Sequence, residues 1–63
     1  MEKIYLVSLR VEDEVVTGKF LGWDETSAIS NAQLYLASET GLKPETLEPV
    51  SAKLLTGDEA NEI

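Results

Sequence analysis

Neither cysteine nor histidine occurs among the 63 residues of this chain, and that absence limits what can stabilise its fold. Disulfides and thiolate zinc sites are excluded, and the commonest metal ligand is missing. A chain of this length buries only about 60% of the surface that its unfolded form exposes. We therefore expect one compact domain over residues 1–57, without a cofactor, stabilised by packing, by self-association or by a partner.

Acidic residues outnumber basic ones by twelve to five, which gives a net charge of −7. So few Lys and Arg residues predict no direct binding of nucleic acid, and an anionic membrane would repel the chain. A basic protein surface would attract it and accelerate association. The alternative interpretation is that the acidity serves solubility alone. No leader or long apolar run is seen, so we expect a cytoplasmic protein, in a bacterial host if the resemblance described below holds.

Residues 4–11 and 15–23 are rich in β-branched and aromatic side chains and flank a charged break, which predicts a β-hairpin. A hairpin loop of two or four residues makes the apolar faces of both strands agree, with Val11 opposite Val16. Asp13-Glu14 is a poor type I′ pair, because Glu resists a positive φ, so a four-residue loop is favoured. One face then carries Tyr5, Val7, Leu9, Val11, Val16 and Phe20, with Gly18 and Gly22 beside them.

A helix is predicted from the N-cap Asp24 to about Thr40, ended by Gly41 in the left-handed conformation. Its apolar stripe is expected to comprise Ala28, Ile29, Ala32, Tyr35 and Leu36, with the two alanines close to the sheet over the glycines. Pro44 favours one helical turn, residues 50–56 a third strand, and residues 58–63 an acidic flexible tail. The predicted fold is α+β, in the order β-β-α-β, with a three-stranded antiparallel or mixed sheet of order 2-1-3 and one helix packed on one face.

A single helix covers only one face of such a sheet. The hairpin pattern places Ile4, Leu6, Leu21 and Trp23 on the other face, and an exposed apolar cluster that contains Trp is typical of a binding surface. Alternatively, Trp23 and Ile4 pack beneath the helix start or the 42–49 loop as part of the core.

Glu12, Asp13 and Glu14 form an acidic turn between the first two strands. The triplet lacks the ligand spacing and the turn glycine of a calcium loop, so it predicts no metal site. It can contact basic side chains of a partner, or it can simply be a solvated turn. Without His or Cys, and with a core too small to enclose a pocket, no catalytic group is identified and we expect no enzyme.

Over residues 3–56, the element order, the size and the acidic tail resemble small phage-encoded host-takeover proteins. The early inhibitor of bacterial RNA polymerase from T7-like phages has a three-stranded sheet with one helix, and anti-CRISPR proteins are similar in size and acidity. In the polymerase inhibitor the third strand contributes basic contacts, whereas only Lys53 is available here. The resemblance implies an inhibitor that occupies a basic, nucleic-acid-binding surface of a host protein. The alternative is a homodimeric interaction module without an inhibitory role.

Overall fold

The computed structural model describes residues 2–55 and contains three strands, one α-helix and a short 3₁₀-helix. Their bounds are β1 Lys3–Val11, β2 Glu14–Gly22, α1 Glu25–Thr40, the 3₁₀ turn Pro44–Thr46 and β3 Glu48–Leu54. Both outer strands pair antiparallel with β1, so the sheet order is β2-β1-β3. The predicted fold class is confirmed. The predicted domain limit at 57 and the tail 58–63 lie outside the described residues.

The hairpin loop has two residues, Glu12 and Asp13, and not the four that the sequence favoured. Val11 lies opposite Glu14, and Val16 lies opposite Leu9, so the predicted pairing of Val11 with Val16 is wrong by two residues. A slip of two residues keeps every side chain on its face, and therefore the apolar pattern could not detect it. The shorter loop lengthens the paired ladder, although it places Glu12 at φ 57.

The helix begins at Asp24 through a reciprocal capping box. The Asp24 carboxylate accepts a hydrogen bond from the backbone N–H of Ser27 at 2.9 Å, and the Ser27 hydroxyl oxygen accepts one from the N–H of Asp24 at 3.1 Å. The helix ends at Gly41, whose φ is 78 and whose N–H donates to the Ala37 carbonyl at 2.8 Å. Both predicted ends of the helix are confirmed.

The cap makes stability depend on the ionisation of Asp24. The hydrogen bonds from Ser27 lower the pKa of Asp24 below its ordinary value of 3.8. The stabilisation is therefore complete above the unfolded pKa and is lost as the pH falls through the lower, folded pKa. We expect the melting temperature of the wild type to fall more steeply with pH below 3.8 than that of Asp24→Asn, which cannot titrate. Parallel curves in circular dichroism melts would contradict this.

The core lies between α1 and the helix-facing side of β1. Its buried side chains are Tyr5, Val7, Leu9, Ala28, Ala32, Ala37 and Leu47. Small alanines allow close approach: a Cβ at Gly22 would lie 2.5 Å from the backbone nitrogen of Ala28. The predicted close approach is thus confirmed at Gly22, whereas the space beside Gly18 holds the ring of Phe20.

Two predicted details of the packing are wrong. Tyr35 is 55% exposed, and its ring packs edge to face on Phe20 with 5.8 Å between the ring centroids. Ala37 takes the buried position in the last turns of α1. The third strand spans Glu48–Leu54 and not residues 50–56, and a bulge near its start accommodates Pro49 in the strand. Of its apolar residues Ala52 packs against the core, whereas Val50 and Leu54 are about half exposed.

Candidate functional site

The acidic turn lies at one end of the sheet, beside the end of the helix. Glu12, Asp13 and Glu14 are all exposed there. They line a groove of about 530 Å³ together with Val11, Val16, Thr40 and Leu42. The lining thus combines three acidic residues with three aliphatic residues and one threonine. We call this end, together with Glu39 in the last turn of α1, the acidic pole.

The shape and chemistry of the groove suit a long cationic side chain. The stem of Lys or Arg is aliphatic and packs on apolar surface while its charged head stays at the solvent. In the acidic pole, Val16 and Leu42 offer that apolar surface and Asp13 and Glu14 offer the counter-charge. The carbonyl end of α1 adds a partial negative charge at the same place. The groove can therefore bind a basic side chain of a partner.

Two acidic residues of this pole are placed against local folding preferences. Glu12 adopts φ 57, a left-handed conformation that Gly or Asn adopts with less strain. Glu39 lies in the last turn of α1, where negative charge opposes the helix dipole, and no basic residue in that turn compensates. Rules broken without local compensation are expected chiefly at functional positions. Neither the left-handed Glu12 nor the charge of Glu39 at the helix end is therefore explained by the stability of the fold.

The sheet face opposite the helix, here called the open face, has no element of residues 2–55 packed over it. The strand registers arrange it in cross-strand rows. The row at the far end is apolar, with Leu21, Ile4 and Leu55, the last of which donates its N–H to the Ile4 carbonyl at 2.9 Å. The next row has Leu6 between Lys19 and Lys53, and the third consists of Thr17, Ser8 and Ser51.

The predicted binding residues form two groups at opposite ends of the hairpin, as their positions in the sequence imply. Ile4, Leu6, Leu21 and Trp23 lie at the far end of the sheet, and we call them the tryptophan cluster. Glu12 lies eight positions beyond Ile4 along the chain, which corresponds to about 26 Å of extended strand. Between the two groups the open face carries Arg10, Lys19 and Lys53, which are three of the five basic residues of the chain.

Burial divides the tryptophan cluster as well. Leu21 is 50% and Trp23 is 63% exposed, whereas Ile4 and Leu6 are half-buried in the central strand. The alternative interpretation of Trp23 as a core residue is wrong: its backbone N–H donates to the Ser27 hydroxyl oxygen at 2.8 Å, but its side chain remains largely in solvent.

We expect Trp23→Ala to leave the fold intact, because the ring is mostly exposed. The free energy of unfolding should change by less than about 1 kcal/mol, as is usual for a surface substitution. Urea denaturation followed by circular dichroism measures this. Unfolding at a much lower urea concentration would place the ring in the core.

Sequence reasoning missed the contribution of the helix end to the groove and the position of Lys53 beside Leu6 on the open face. In the sequence, Thr40 only marks where the helix ends, and Leu42 belongs to the loop that follows. Lys19 and Lys53 are 34 residues apart in the sequence, and only the 2-1-3 strand order places them on either side of Leu6. The predicted strand alternation already placed Lys19 on the open face, so that part of the signal was present.

Within residues 2–55, no three acidic side chains come close enough to hold a metal ion, and no buried side-chain polar atom lacks a hydrogen-bond partner. No helix in that part of the chain is long and apolar enough to cross a membrane.

Comparisons with protein-family models, with curated proteins and with solved structures found no match. The resemblance to phage host-takeover proteins therefore stays a prediction from element order, size and acidity.

Proposed function

We propose that this protein binds a basic protein surface through its acidic pole. The observation that carries the proposal is the placement of Glu12 and Glu39 against local folding preferences at the end where Asp13 and Glu14 line a groove. Lys or Arg side chains of the partner enter the groove, and the −7 net charge accelerates the encounter. When the surface so occupied normally binds nucleic acid, binding inhibits that partner by competition.

The tryptophan cluster is not part of this contact. A standard interface covers about 800 Å² on each partner, or roughly 28 Å across. One partner could therefore contact both the acidic pole and the tryptophan cluster only by lying along the open face. Arg10, Lys19 and Lys53 lie on that path, and Glu48 is paired with Arg10, so this part of the face has no excess of negative charge to attract a basic partner. We therefore assign the basic partner to the end of the molecule that holds the groove.

The direct test uses a fluorescein-labelled decapeptide of alternating Arg and Gly as the basic probe, followed by fluorescence anisotropy. Asp13→Asn/Glu14→Gln should weaken binding about tenfold or more, the loss of roughly 1.4 kcal/mol. The matched control, Glu2→Gln/Glu25→Gln, also removes two negative charges, but at the other end of the molecule. It should weaken binding less than threefold. Equal losses would show that only the net charge matters and would overturn the proposal.

The proposed inhibition needs a natural partner. Wild-type protein and both double variants are used to capture proteins from a bacterial lysate, and the eluted proteins are identified by mass spectrometry. The proposal expects a protein that Asp13→Asn/Glu14→Gln no longer captures, that the control still captures, and that an oligonucleotide of about 20 nucleotides displaces. A captured protein that oligonucleotides do not displace would contradict the inhibitory part of the proposal.

Because Glu12 and Glu39 are placed against local folding preferences, we expect a trade-off between stability and binding at both positions. Glu12→Gly relieves the left-handed strain and Glu39→Lys complements the helix dipole, so each should raise the free energy of unfolding by about 0.5 kcal/mol. Each should also weaken binding of the Arg-Gly peptide. Urea denaturation and anisotropy on the same samples measure both effects. Variants that gain stability without losing affinity would show that these two acids have no binding role.

A further inference from the structure

The two outer edges of the sheet differ in their ability to accept another strand. The outer edge of β3 is interrupted by Pro49, which has no N–H, and by the bulge between the Ser8 and Leu9 pairs. Both features are typical of edges that resist strand addition. β2 has nine residues in continuous register with β1, contains no proline and has no bulge. In residues 2–55, only β2 offers a long regular edge.

Two hydrogen bonds establish which backbone groups point outward from β2. Leu55 donates its N–H to the Ile4 carbonyl. At this end of β1, the backbone N–H and C=O groups of even-numbered residues therefore point toward β3, and those of odd-numbered residues point toward β2. The odd-numbered residues of β1 pair with even-numbered residues of β2. The backbone groups of the odd-numbered residues of β2 therefore point away from the sheet. The side-chain amide of Asn31 donates to the Leu21 carbonyl at 2.7 Å, as that orientation requires.

We propose that two copies of the chain pair antiparallel through the outer edges of β2, about a two-fold axis at Gly18, to form a continuous six-stranded sheet. The outward-facing residues are Val15, Thr17, Lys19 and Leu21. With the axis at Gly18, these residues of one copy lie opposite the same set in the other copy, Val15 opposite Leu21 and Thr17 opposite Lys19. The Leu21 carbonyl, which has two lone pairs, can accept from the second copy while Asn31 remains bound.

This register also pairs the side chains well. A two-fold axis perpendicular to the sheet keeps both helices on the same side. Val15, 54% exposed, meets Leu21, 50% exposed, on the open face. On the helix side, Val16 meets Phe20, and the exposed ring of Tyr35 already packs on Phe20. The dimer thus covers exposed apolar side chains on both faces of β2.

The charges support this arrangement over other two-fold registers of β2. An axis at Lys19 would place the two Lys19 side chains directly opposite each other, which is unfavourable. An axis at Thr17 would place Val15 opposite Lys19 and leave the apolar residues unmatched. With the axis at Gly18, no like charges are directly opposed, and antiparallel pairing places the acidic ends of the two copies at opposite ends of the dimer.

Sedimentation velocity of the full chain tests the proposal. We expect the wild type to reach twice the monomer mass as its concentration is raised to about 1 mM, where even a weak dimer is populated. Thr17→Pro removes an outward N–H without removing a bond to β1, and it should weaken dimerisation at least tenfold. The control Thr17→Val loses the same Thr17–Ser8 hydroxyl bond, 2.8 Å in the wild type, but keeps the N–H and should still dimerise. Circular dichroism verifies that both variants are folded.

Because the chain has no cysteine, a single nitroxide label at Val15→Cys reports the register. Val15 of one copy lies opposite Leu21 of the other copy, and that Leu21 is six residues along the strand from the Val15 of its own copy. The two labels should therefore be about 20 Å apart when measured by pulsed electron resonance. An axis at Thr17 would shorten it to roughly 14 Å. A wild type that is monomeric at about 1 mM, or a dimer that Thr17→Pro does not weaken, would overturn the proposal.

Discussion

Gly22→Ala is expected to leave the protein largely unfolded at 25 °C. Gly22 is buried where β2 passes beneath the first turn of α1, and a Cβ there would lie 2.5 Å from the Ala28 backbone nitrogen and 2.8 Å from its Cα. Neither atom can move without shifting the helix away from the core. Overpacking against backbone exceeds the usual 1–3 kcal/mol, so we expect a loss of about 3 kcal/mol or more. The total stability of such a chain is only a few kcal/mol.

Gly18→Ala is the matched control, because it makes the same change on the same strand. A Cβ at Gly18 would meet the ring of Phe20 at 3.0 Å, and a ring can tilt where a helix backbone cannot. We expect a change of less than about 1 kcal/mol, with some gain from replacing Gly in a strand. Urea denaturation of both variants distinguishes the sites. Equal stability of the two variants would mean that α1 does not pack on β2 as closely as the structure shows.

The fold was predictable because its signals are local and agree with one another. Asp24 and Gly41 define the helix, and alternation along both hairpin strands assigns each side chain to a face. What could not be predicted depends on energies that compete at longer range. The hairpin loop is one residue pair shorter than expected, because ladder pairing outweighs the strain of a left-handed Glu12. Tyr35 has the spacing of a core residue, yet it lies beside β2 and remains exposed.

The candidate site was predictable residue by residue but not as a whole. Glu12, Asp13 and Glu14 were identified as a protruding acidic turn and Trp23 as an exposed ring, and the structure exposes all four. Their positions in the predicted hairpin also place the two groups at opposite ends of the strands, with Glu12 about 26 Å of strand from Ile4. The sequence could not show that the helix end lies beside the turn, because that contact depends on the packing angle of α1.

Leu47→Ala should be nearly as damaging as Gly22→Ala, although the sequence marks its segment as a loop with one helical turn and gives no sign that Leu47 is a core residue. The side chain is 1% exposed and is among the largest fully buried ones in the core. The 3₁₀ turn Pro44–Thr46 directs it inward, and the amide of Gln33 donates to its carbonyl at 2.9 Å, which fixes the segment against α1. Removing a buried leucine side chain typically costs about 3 kcal/mol and leaves a cavity.

Leu34→Ala makes the same chemical change on the exposed side of α1, where the leucine is 58% exposed. Little apolar surface leaves the core and alanine has the higher helix propensity, so the free energy of unfolding should change by less than about 0.5 kcal/mol. Measuring both variants by urea denaturation separates burial from residue type. If Leu47→Ala were as stable as Leu34→Ala, residues 42–47 would contribute no core and the sheet would be held by α1 alone. A large loss at Leu47 only would show that this short connection is a structural part of the domain, which its sequence of charged and turn-forming residues does not suggest.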